Sequence, residues 1–88
     1  MADENDIALG VVKIAQANGG LCTFTQAYQQ IPNYVKLSAA NLAASTIRPG
    51  EPMWYQLVRN IKSHDTNPGN FIHDGYLIHV PDIGYKIP

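Results

Sequence analysis

A change of hydrophobic period in the second half of the chain constrains the fold more than any other feature. Trp54, Leu57, Val58 and Ile61 recur at i, i+3, i+4 and i+7, the spacing of one buried helical stripe. After the turn-forming Asn67-Pro68-Gly69, the stretch Tyr76 to Val80 becomes β-prone. Pro81-Asp82-Ile83-Gly84 is turn-like, and Tyr85 to Ile87 is β-prone again. A short hairpin therefore follows a set of helices.

The segments before it are also helical. Ile7, Val11, Ile14 and Ala15 share one face of a helix from Asp6 to Ala17, with Asp6 as its cap and Asn18-Gly19-Gly20 as its stop. Gly10 weakens this helix by up to about 1 kcal/mol relative to alanine. Thr23 and Gln26 form a capping box, and Phe24, Ala27, Tyr28 and Ile31 follow as a second stripe, which Pro32 is expected to end. Ser38 caps a short third helix, Ala39 to Ala44, anchored by Leu42. Arg48-Pro49-Gly50 is a turn, and the fourth helix is expected over residues 52–64, opening on Pro52. The order is that of an α+β winged helix-turn-helix, three to four helices followed by a C-terminal β-hairpin wing at 76–87. The 88 residues suffice for one domain, assigned to 6–88, with residues 1–5 expected to be a disordered N-terminus.

Charge narrows the function classes. The net charge is −1, but Asp3, Glu4 and Asp6 hold three of the seven acidic side chains, leaving four against six basic ones in the rest of the chain. That balance allows a local cationic patch and excludes a strongly basic surface. Cys22, the single cysteine, permits no internal disulfide and is expected to act as a small buried apolar residue. The start Met-Ala-Asp-Glu-Asn-Asp lacks the features of a signal peptide, and no stretch reaches membrane-spanning length. The expectation is a cytoplasmic protein without membrane association.

Catalytic and metal chemistry find little support. Ser63-His64-Asp65 holds the letters of a hydrolase triad, yet consecutive residues at a helix end point in different directions. His64, His73 and His79 are too scattered for a zinc site, and no glycine-rich phosphate loop is present. No enzyme activity, metal or cofactor is expected. Tyr55 and Tyr85 are the expected exposed aromatics.

The informative surface is the polar side of the fourth helix. At roughly 100° per residue, Gln56, Arg59, Asn60 and Ser63 gather opposite the apolar stripe, with Tyr55 and Lys62 at its border. An idle solvated face carries Glu and Lys. This one has no carboxylate at its centre, and its residue types are those that read base edges. Asn60 is a poor helix former and needs compensation, from DNA or from a neighbouring loop. Lys62, His64, Lys86 and Arg48 are placed to meet phosphates, contacts that position without specifying sequence.

The segment from Trp54 to His64 (WYQLVRNIKSH), the following Asn70-Phe71-Ile72-His73-Asp74-Gly75-Tyr76-Leu77 and the closing Gly84-Tyr85-Lys86-Ile87 together resemble the winged-helix domains attached to restriction endonucleases, including the amino-terminal domain of Mrr-type enzymes. The resemblance covers the last 40 or so residues well. It implies binding of double-stranded DNA through Gln56, Arg59, Asn60 and Ser63, in a transcriptional regulator or a restriction-associated specificity domain. The alternative expectation is a winged helix that docks protein, including a homodimer, which the near-neutral charge and Asp82 in the wing turn favour.

Overall fold

Two aspartates open the first helix. In the computed structural model, which describes Met1 to Pro88, the Asp3 carboxylate accepts the Asp6 N–H at 2.9 Å and the Asp6 carboxylate accepts the Asp3 N–H at 3.0 Å. This reciprocal box starts α1 (Glu4–Ala17) ahead of the expected Asp6. Residues 1–5, expected to be disordered, are tied into the domain instead. Ala2 is buried, and the side-chain amide of Asn41 pairs with both its N–H and its carbonyl, each at 3.0 Å. The same Asn41 sits in α3 (Ala39–Leu42), which is shorter than expected. Its anchor is this asparagine and not Leu42, which is 58% exposed.

Gly19 and Gly20 end α1 with positive φ, and the chain enters β1 (Leu21–Thr23). The Thr23–Gln26 box then opens α2 (Phe24–Tyr34), with bonds of 3.1 and 2.9 Å. Pro32 does not end this helix. An interior proline removes one backbone bond and costs about 3 kcal/mol, but α2 continues to Tyr34, and the Val35 N–H still reaches the Ile31 carbonyl at 2.9 Å. The reason is packing on α1. A Cβ at Gly10 would lie 2.7 Å from Val35 Cγ2 and 2.9 Å from Ile31 Cδ1. Gly10, unfavourable for the helix in isolation, is what lets the end of α2 close against it.

The remaining elements are α4 (Trp54–Ser63), β2 (Ile78–Val80) and β3 (Gly84–Lys86). The hairpin pairs Ile78 with Lys86 and Val80 with Gly84. β3 also pairs with β1 on its other side, Cys22 opposite Tyr85, so the antiparallel sheet has the order β1-β3-β2. Cys22, Tyr85 and His79 form one row across the sheet. Tyr85, expected to be exposed, is fully buried, and its hydroxyl donates to the Val58 carbonyl at 2.6 Å. The core lies between the sheet and the inner faces of α1 (Ile7, Val11, Ile14), α2 (Ala27, Ile31) and α4 (Trp54, Val58, Ile61), with Leu77 closing it.

Two predictions follow from this packing. A Cβ at Gly84 would collide with the Cys22 carbonyl oxygen and lie 2.7 Å from the Thr23 Cα. Both are backbone, so neither can yield as a side chain end would. Gly84→Ala should therefore destabilise the fold by about 3 kcal/mol, read from the urea unfolding midpoint. Separately, burial pushes the Cys22 thiol up to about 11 from 9.0, and burial raises the Tyr85 hydroxyl above its usual 10.0. Ionisation of these groups favours the unfolded chain. The contribution of these two groups should be constant well below pH 9 and fall as pH rises, with a slope approaching about 1.4 kcal/mol per pH unit for each titrating group. Cys22→Ala should remove the part lost between pH 9 and 11.

Candidate functional site

α4 is held at both ends and in the middle. At its start, the Met53 N–H donates to the Ala43 carbonyl and the Ser45 N–H to the Glu51 carbonyl, both at 2.8 Å. Pro52 belongs to this closure, as the bridge partner of Ala44, so the helix proper begins at Trp54 and not at residue 52. Tyr85 fixes the middle. At the far end Asn70, almost fully buried, donates to the Ile61 carbonyl at 2.9 Å and to a Glu4 carboxylate oxygen at 3.3 Å. Its side-chain Oδ1 accepts the N–H groups of Ile72 and His73 at 2.8 and 3.1 Å.

The side of α4 turned from the core carries a connected string of polar groups. The Gln56 amide donates to Asn60 Oδ1 at 2.8 Å, and Arg59 Nη2 donates to Gln56 Oε1 at 3.2 Å. Ser63 Oγ donates to the Arg59 carbonyl at 3.2 Å. Asn60 thus finds its compensation one turn earlier in its own helix, not in a neighbouring loop. The helix contributes no carboxylate here, but the turn before it does: Glu51 Oε2 lies 3.0 Å from Arg59 Nη2. This pair leaves the Arg59 side chain only 17% exposed. Arg59 Nε is buried with no partner.

The other expected residues divide into two sets. Lys62 stands at the border of the string with its ammonium 5.2 Å from the Phe24 ring centroid, a cation–π distance. Lys86 is exposed on β3 and Arg48 is exposed in the turn before α4. Tyr55 and His64 turn elsewhere. Tyr55, expected to be exposed, stacks on Tyr28 at 4.1 Å between ring centroids and is half-buried; the exposed aromatics are Tyr34 and Tyr76. His64 caps the helix and, although exposed, lies 2.6 Å from Glu4 Oε1 at the start of α1. Ser63, His64 and Asp65 do not assemble: the serine hydroxyl bonds backbone and the histidine bonds Glu4. No three His, Cys, Asp or Glu side chains converge as a metal ion requires.

Two residues that shape the site, Glu51 and Asn70, lie outside the helical stripe that residue spacing picks out. Asn70 carried a local signal, since an asparagine whose side-chain carbonyl takes the N–H two residues on forms an Asx-turn. Its buried bonds to Ile61 and Glu4 carried none. No helix is long and apolar enough to cross a membrane. Comparison of the chain with protein-family models, with curated proteins and with solved structures finds no match in any of the three.

Removing the Asn70 amide leaves the Ile61 carbonyl and two turn N–H groups without this partner. Asn70→Ala should cost about 2–3 kcal/mol and should speed amide exchange at the C-terminal turn of α4 more than at its N-terminal turn.

Proposed function

We propose that this chain is a winged-helix module that binds double-stranded DNA, with α4 in the major groove and the β2–β3 hairpin as the wing. The observation that carries the reading is the string Gln56–Arg59–Asn60–Ser63 on the side of α4 opposite its buried stripe. Arginine suits guanine, glutamine and asparagine suit adenine, and serine suits either a base edge or a phosphate. Support comes from the element order, three helices, then α4, then a hairpin whose second strand pairs with β1. The resemblance of Trp54–His64 and the hairpin to the amino-terminal domains of Mrr-type restriction enzymes points the same way.

The charge distribution sets the kind of binding. With a net charge of −1, long-range attraction to phosphate is weak, and the cations this reading assigns to phosphate are Lys62, Lys86 and Arg48. Three phosphate contacts would give a slope of about −3 in log affinity against log salt. Base contacts then have to supply a large share of the selectivity.

A second reading has its own observation. Tyr76, Ile78 and Ile83 are exposed on and beside the wing, and Asp82 stands in its turn. That surface suits protein, including a second copy of the chain, better than phosphate. Sedimentation of the free protein distinguishes a self-associating wing from a monomeric one.

For the DNA reading, Arg59→Ala should reduce discrimination between a selected duplex and a random one by about 1–3 kcal/mol. Lys62→Ala and Lys86→Ala should weaken both duplexes alike and each lower the salt slope by about 1. Fluorescence anisotropy over a salt series measures both, and affinity that does not depend on salt would exclude phosphate contact.

A further inference from the structure

The donors of Arg59 are already committed. A guanidinium has five N–H groups, one on Nε and two on each Nη. Arg59 Nη2 gives its two to Glu51 Oε2 at 3.0 Å and Gln56 Oε1 at 3.2 Å. Arginine reads guanine O6 and N7 with two parallel N–H groups. Those come from Nη1 with Nη2, or from Nε with Nη2, so either fork needs a hydrogen on Nη2. In the free protein neither fork is available.

We propose that Glu51 is a latch that holds Arg59 away from DNA, and that its release converts phosphate-only binding into base-specific binding. This rests on the DNA reading of α4. Glu51 is the partner suited to let go. It belongs to the turn before α4 and not to the helix, held there by the Ser45 N–H on its carbonyl and by its own N–H on the Arg48 carbonyl at 3.3 Å. Its side chain is 30% exposed, open to the field of an approaching phosphate. A backbone phosphate repels the carboxylate and attracts the guanidinium, so it acts on both halves of the pair in the direction of opening. Release also frees Nε, which the closed arrangement leaves buried and unpartnered. Lys62 and Lys86 make no hydrogen bond or ion pair to a carboxylate and need no such opening. Phosphate binding through them therefore precedes the latch, and guanine reading follows it.

The test is a double-mutant cycle with a random-sequence duplex pool of about two helical turns, at low salt, read by anisotropy. Glu51→Gln should tighten binding about 3- to 5-fold, the scale of a partly exposed ion pair. The gain should vanish in an Arg59→Ala background, and sequences selected by Glu51→Gln should be richer in guanine than those selected by the natural chain. Equal affinity of the natural chain and a folded Glu51→Gln variant overturns the latch and leaves the DNA reading intact. So does a gain that survives Arg59→Ala, since it would reflect charge alone. Absence of binding by both folded proteins overturns the DNA reading and the latch with it. Should Glu51→Gln not fold, the guanidinium nitrogens of Arg59 in the natural chain give the answer. Their resonances should shift and change partner on addition of the duplex pool, and a complex in which they do not move overturns the proposal.

Discussion

The hydrogen bond from Tyr85 to the Val58 carbonyl holds the sheet and α4 in one frame. Tyr85 is the central residue of β3, the middle strand, so its ring sits between Cys22 on one side and His79 on the other. It also meets Phe24 edge-on at 5.5 Å. A phenol is one of few side chains that can fill a core with its ring and satisfy its polar end on a helix backbone. Because β1, β2 and α4 all meet this one residue, the hairpin cannot shift relative to α4 without burying an unpaired hydroxyl, which is unfavourable by more than the bond itself contributes.

A second set of polar contacts joins parts of the chain that are far apart in sequence. Asn41 receives the backbone of Ala2, and Glu4 reaches both His64 and Asn70. The start of α1 therefore braces the end of α4 and the loop beyond it. Without these bonds the short α3 and the irregular segment from Asn67 to Gly75 would have little to order them, since neither carries a long apolar stripe. Buried amides work well here because each supplies a donor and an acceptor in fixed geometry.

The outer side of α4 is half-buried and internally bonded, not an open row of charges. Glu51 neutralises the one arginine on it. Such a surface exchanges strength for selectivity in the proposed reading: it attracts phosphate weakly, and its base-reading groups are held in mutual bonds that have to be exchanged for base contacts. A helix face of free lysines would bind more tightly and discriminate less.

The helices that bury a periodic stripe, α1, α2 and α4, were legible from residue spacing, and so was the hairpin, whose turn residues Pro81 and Gly84 mark it. The polar string on α4 was legible too, because helical geometry places Gln56, Arg59, Asn60 and Ser63 on one side whatever surrounds them. What spacing could not reveal were contacts between distant segments. β1 is three residues long, too short to show a period, and exists because β3 pairs with it. Pro32 reads as a stop, and α2 passes through it because Ile31 and Val35 close on Gly10. Asp6 reads as a cap, and Asp3 takes that place because Asn41 draws the N-terminus inward. The sequence by itself determined which faces are apolar and where the chain turns, since both follow from local geometry. Only the tertiary structure decided that Tyr85 is the core's centre and that Glu51 holds Arg59, because each depends on a partner that packing, not proximity in the chain, brings within bonding distance.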